Sequence, residues 1–189
     1  MMLPRRSNDG TSARHDLREG AGVVVRGSAT GLRRRGTPVS WVPMPSLLTP
    51  ADRDAILGRL RRLQPDQPAL WGRFTAPAMV CHLADQLRVA VGDLPTRRHD
   101  NIASRTILKW LVVYSPLEAP RGKVQTAPEM LTSAPSNWAE DVGAVEALIH
   151  RLAATPTQAM HPFFGPLSHG AWGRLAWKHL DHHLRQFDC

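Results

Sequence analysis

Long apolar runs are missing from this 189-residue chain. No stretch approaches the roughly 20 residues that a bilayer-spanning helix needs, which excludes a helical membrane protein. Cysteine is scarce as well: Cys81 and Cys189 cannot build a disulfide framework, so two free thiols in a reducing cytoplasm are expected. Arg5 and Arg6 have no apolar segment behind them, which argues against a secretory leader. There is no internal repeat, heptad run, phosphate-binding glycine loop or strand pair, and no serine stands on a strand-to-helix elbow. Those absences leave an all-α bundle as the economical reading and give Ser–His–acid catalysis no support.

Positive charge is plentiful but uneven. Residues 1–45 hold eight arginines against Asp9, Asp16 and Glu19, so that segment carries most of the formal +8. The high pI is therefore largely a property of the leading segment, and nucleic-acid binding by the whole chain gains little from it. Residues 1–45 alternate Arg, Gly, Ser and Thr without an apolar period and read as a disordered basic extension. Within it, Gly22–Arg26 (GVVVR) could make a strand but has no partner nearby. Met44 stands directly before the first helix signal, so residues 1–43 also read as an extension upstream of an alternative start. Residues 46–189 are long enough for one domain with a sizeable core.

Four amphipathic helices follow. The first opens at Thr49-Pro50 and buries Ile56, Leu57, Leu60 and Leu63, with Arg59, Arg61 and Arg62 on its wet side, before Pro65 stops it. The second runs from a Thr75 cap to about Gly92, with the stripe Met79, His82, Leu83, Gln86, Leu87 and Ala90. Residues 93–136 form a long connection holding one short helix, Thr106 to Tyr114. Connections of that length act as lids or crossovers, and a crossover would let the second and third helices run parallel. The third helix starts at Asn137, with Glu140 at capping-box spacing, and buries Trp138, Val142, Val145, Ile149 and Leu152. The fourth runs from a Ser168 cap to Phe187, with Leu167 and Trp172 at the positions of a hydrophobic staple. The fold class expected is all-α: a four-helix bundle with a long crossover between helices 2 and 3.

The inward stripe of the last helix is Trp172, Leu175, Ala176, His179, His183 and Phe187. Two imidazoles one turn apart on an apolar face are costly to bury, and H-x-x-x-H is the spacing that lets two rings hold one ion. His82, among core residues of the second helix, is the candidate third ligand. His182 points about 100° away from His183 and belongs at the boundary. Asp85 is placed either to accept the other N–H of an imidazole or to face solvent. His161 and His169 flank the loop entering the last helix; His161, which opens the turn sequence HPFFG, reads as a turn residue, with the lining of a pocket mouth as the alternative. Cys81 reads as a small buried hydrophobe. Gln86 and Trp177 are candidate wall residues. Three histidines leave coordination positions open, as a catalytic ion requires.

The segments HPFFGPLSHGAWGRLAWKHLDHHLRQF and LWGRFTAPAMVCHLADQLRVAVG resemble the DinB-like superfamily of four-helix-bundle metalloenzymes, and within it the branch called domain of unknown function 1569. The resemblance covers about residues 48–188. It implies that a second-helix histidine and an H-x-x-x-H pair on the last helix bind a divalent ion; by motif these are His82, His179 and His183. Asp188 stands where the pattern leads one to expect Gly after Gln-Phe, and the first 45 residues have no counterpart. Some relatives transfer low-molecular-weight thiols to electrophiles. The implied function is a cytoplasmic transferase that uses a divalent metal ion (Zn, Ni or Fe), a small thiol and a small-molecule substrate. A metal-dependent hydrolase, a non-catalytic metal-binding bundle and, through the arginine-rich tail, a nucleic-acid binder are the alternatives. No membrane partner is expected, and a homodimer is compatible with the sequence.

Overall fold

The computed structural model describes residues 43–118, 121, 126–157 and 159–189. The extension expected over residues 1–45, GVVVR included, lies outside the described residues except for positions 43–45. The described chain is mostly helical: α1 (Pro50–Leu60), α2 (Ala76–Val91), α3 (Trp138–Ala154) and α4 (His169–Gln186). Each packs on two others, α1 on α4 and α3, α2 on α3 and α4. The hydrophobic core lies within that ring, and it includes Leu47, Leu60, Met79, Leu87, Ile149, Leu152, Trp172 and Phe187.

The helix starts follow their cap chemistry. Thr75 Oγ1 accepts from Ala78 N–H, Asn137 Oδ1 from Ala139 and Glu140 N–H, and Ser168 Oγ from Ala171 N–H. Thr49 precedes α1 as expected, but its hydroxyl makes no cap bond; Pro50 at the first position and Asp52 in the first turn favour the start instead. At α3 the reciprocal bond runs from Ser136 N–H to Asp141, not to Glu140. Leu167 and Trp172 are both buried, consistent with the staple. Arg59 turns inward from the face expected to be wet, donating to Asp181 and to the Cys189 carbonyl.

Two of the helices end in the same motif. Gly92 is left-handed (φ +87°), with Gly92 N–H on Val89 O and Asp93 N–H on Arg88 O. At the end of α4 the same pair of bonds joins Asp188 N–H to Arg185 O and Cys189 N–H to Leu184 O, with Asp188 itself at φ +58°. This is the physical content of the missing glycine: the position needs a left-handed residue.

Two elements depart from expectation. The short helix in the α2–α3 connection is wider and starts earlier, as π-helical turns over Ser104–Leu108 and Trp110–Tyr114. Side chains take up carbonyls there: Thr106 Oγ1 donates to Ile102 O, and Lys178 Nζ to Val112, Ser115 and Leu117 O. There is also a strand pair that the sequence did not reveal, β1 (Met160–His161) antiparallel to β2 (Gly165–Pro166). Two residues per strand are too short to show an alternating pattern.

Candidate metal centre

His82 comes from the middle of α2, and His179 and His183 from one face of α4. The structure brings all three together. One ring nitrogen from each lies within 4.8 Å of the others. Ring centroids are 4.7 to 4.9 Å apart, and each pair is close to perpendicular. His82 is 2% exposed and His183 9%, while His179 is half-buried.

Hydrogen bonds fix two of the rings. His82 Nδ1 is 2.8 Å from the carbonyl of Met130. A carbonyl only accepts, so Nδ1 carries the proton and Nε2 keeps its lone pair. His183 Nδ1 is 2.9 Å from Gln186 Oε1. The Gln186 amide is itself oriented, since its Nε2 donates to Trp71 O and its backbone carbonyl accepts from Leu70 N–H. His183 therefore also carries its proton on Nδ1. His82 Nε2 faces His179 Nε2 at 3.0 Å, and His179 Nδ1 is buried without a partner.

Electrostatics keep the cluster neutral. Burial pushes His82 below its ordinary value, against the opposing pull of the Met130 bond and the Asp85 charge. Burial likewise lowers His183 to about 3, and burial followed by the neighbouring imidazoles takes His179 well down. Neutral imidazole is the ligand form. Three such rings, two with lone pairs held inward, suit a borderline divalent ion. The residues present fit one.

Phe74 walls the cluster, stacked on His82 (5.2 Å, 15°) and edge-on to His183. Gln86 is buried one turn past His82, with Oε1 unpartnered. Trp177 is half-buried against the core, with its Nε1 buried and unpartnered. His182 stays at the boundary, half-buried and edge-on to Trp71 at 6.0 Å. Gly72, at φ +82°, lets the Trp71 segment approach α4; a Cβ there would sit 2.5 Å from Gln186 Nε2.

Asp85 fits neither reading considered for it. It is 1% exposed, and the imidazole proton it could have accepted goes to Met130 instead. Its carboxylate takes Thr132 and Ser133 N–H, the Ser133 hydroxyl and Arg88. Burial works to raise its pKa, and the hydrogen bonds from Ser133, Arg88 and Thr132 outweigh it, leaving it low. His161 is buried in the hairpin, stacked on Phe164, with Nδ1 accepting from Phe163 and Phe164 N–H. His169 holds the Leu152 carbonyl near the end of α3. Cys81 is buried, with its thiol pushed up by burial.

The supporting groups escaped sequence reasoning. Met130 acts through its backbone, which leaves no residue signature. Gln186 was detectable, because an amide at i+3 from a ligand-spaced histidine can reach its Nδ1. No curated protein and no solved structure matches the chain. The family described as Protein of unknown function (DUF1569) matches residues 45–188, and the chain belongs to that family.

Proposed function

We propose that the chain is a divalent-metal-dependent enzyme whose ion is held by His82, His179 and His183, and that it transfers a low-molecular-weight thiol to an electrophile. The observation that carries the metal reading is the convergence of three neutral imidazoles with ligand atoms within 4.8 Å. A bound divalent ion supplies Lewis acidity, lowering the pKa of a coordinated thiol or water toward neutrality. The chain's own residues provide the setting. Met130 and Gln186 orient two rings, Phe74 excludes water from one side, and a small substrate approaches at His179, the least buried of the three rings. Gln86 Oε1, buried and unpartnered, is an acceptor for a substrate N–H or S–H. The connection between α2 and α3 acts as the lid and carries selectivity.

We assign the fold to the DinB-like four-helix bundles, with that connection as a crossover, on the ring of helix contacts and the placement of the three histidines. The bundle domain is taken as residues 46–189, behind a disordered basic extension. Two free thiols suit a reducing cytoplasm.

A second reading has an observation behind it: His82 and His183 are sealed, as in a metal-binding bundle without turnover. Elemental analysis of purified protein, followed by a thiol and electrophile panel on metal-loaded protein, separates the readings. Thiol-dependent turnover lost in His179→Ala supports the transferase, and turnover without thiol replaces it with a hydrolase. A stoichiometric ion with no turnover favours the non-catalytic bundle. Absence of any ion sinks the metal reading.

A further inference from the structure

Asp85 is a buried carboxylate whose hydrogen bonds go to Arg88, Thr132 and Ser133 and to none of the three histidines, yet it grips the segment that orients one of them. His82 and Asp85 are three residues apart on α2 and so share a side of it. Opposite them runs one short piece of chain, the 3-10 turn Pro128–Leu131 and the two residues after it. His82 Nδ1–H holds that piece at Met130 O, 2.8 Å away. Asp85 holds it two residues later: Oδ2 accepts Thr132 N–H and Ser133 N–H, both at 2.9 Å, and Oδ1 accepts the Ser133 hydroxyl at 2.5 Å. Arg88 Nη1 closes the network, donating to Asp85 Oδ1 and to Ser133 Oγ.

The two grips are unequal. A neutral imidazole makes one hydrogen bond to a carbonyl. A buried carboxylate must keep its several donors, because losing them leaves a charge without compensation. The Asp85 grip therefore fixes the turn, and the turn fixes His82.

We propose that Asp85 is a positioning residue for His82. It acts through the Thr132–Ser133 turn and the Met130 carbonyl, and so sets the affinity of the centre for its ion. The inference rests on the metal reading above. The carboxylate holds the Met130 carbonyl where it selects the Nδ1–H tautomer of His82, which leaves Nε2 as the inward lone pair. Without Asp85 the carbonyl loses its fixed position, and the ring can protonate on either nitrogen.

The test uses the full chain, with Zn²⁺ as the probe. Long-range ¹H–¹⁵N spectra of metal-free protein read the His82 tautomer, and chelator competition reads the Zn²⁺ dissociation constant. In Asp85→Ala the Nδ1–H tautomer gives way to a mixture and the dissociation constant rises about tenfold or more. Asp85→Asn, which keeps one acceptor oxygen, falls between. Leu131→Ala, in the same turn but 51% exposed, leaves both unchanged. An Asp85→Ala protein with an unaltered tautomer and unaltered affinity overturns the proposal, even if it melts earlier, because the role is then only structural. An equal loss of affinity in Leu131→Ala overturns it too. Should Asp85→Ala fail to fold, Ser133→Ala removes only the hydroxyl; a smaller rise in the dissociation constant supports the proposal and none overturns it. If the natural chain binds no Zn²⁺ the metal reading falls, and the tautomer comparison still decides the role of Asp85.

Discussion

His183 and Gln186 lie three residues apart on α4, and the His183 ring donates to the Gln186 amide at 2.9 Å. The same amide donates to Trp71 O at 2.5 Å, so one glutamine ties the Trp71 loop to a ring of the metal centre. Gln186→Ala frees the His183 tautomer. It should weaken metal binding about 10- to 100-fold while the helices persist. Gly72→Ala adds a Cβ against that amide and strains a left-handed residue, so it should cost about 1–2 kcal/mol of stability and weaken the ion together. Metal competition and urea melts on the two variants check this. Unaltered affinity in both would sever the Trp71–Gln186–His183 link.

His82→Ala, His179→Ala and His183→Ala should each reduce divalent-ion affinity beyond the ~10- to 100-fold typical of losing a supporting group. His182→Ala should change it far less, since His182 is half-buried and turned toward Trp71. Elemental analysis and chelator competition read both outcomes. A full complement of ion in His82→Ala would sink the assignment. Added metal should also raise the melting temperature of the natural chain, because the site exists only in the folded state.

What the sequence disclosed is what periodicity encodes. The stripe Met79, His82, Leu83, Gln86, Leu87, Ala90 is buried throughout, although α2 lies so deep that Val80, Cys81, Ala84, Asp85 and Val89, off that stripe, are buried too. The same period put His179 and His183 on one face and His182 off it. Groups that act through backbone or across distant loops were invisible. Nothing in the spacing of His82 and Asp85 says that a turn 47 to 48 residues later comes between their tasks. The π-helical turns and the two-residue strands are set by tertiary contacts, among them Lys178 on the Val112 carbonyl, and not by local pattern.

Asp188 closes α4 in a left-handed conformation, the geometry that Gly92 supplies at the end of α2. A left-handed non-glycine residue costs roughly 1–2 kcal/mol, though Asp tolerates it better than most. Glycine there removes the strain but adds unfolded-state entropy of about 0.4–1 kcal/mol. Asp188→Gly should thus stabilise the chain by about 0.5–1 kcal/mol and Asp188→Val should destabilise it. Denaturant midpoints read both signs. A destabilised Asp188→Gly would mean that the carboxylate makes up for its backbone strain.

Acid should weaken the fold in a window set by imidazoles. His161 is buried in the hairpin, and burial, with Lys109 nearby, lowers its pKa to about 3. The native ring therefore stays neutral far below neutrality, while the unfolded ring takes a proton near 6.5. Between those values the unfolded chain binds more protons, so stability falls as pH falls. The contribution is complete above about pH 6.5, and no further loss occurs below about pH 3. One such imidazole removes about 2 kcal/mol between pH 7.5 and pH 5. His82, His179, His182 and His183 are lowered too and act with the same sign. The lowered carboxylates Asp85 and Glu146 act only below about pH 4.5, where their unfolded forms protonate. Urea unfolding of metal-free protein at pH 7.5, 6 and 5 measures the slope, and His161→Gln should reduce it by one imidazole. Stability that stays level from pH 7.5 to 5 would show that these rings accept protons in the folded chain, and the neutral three-histidine centre would fall with it.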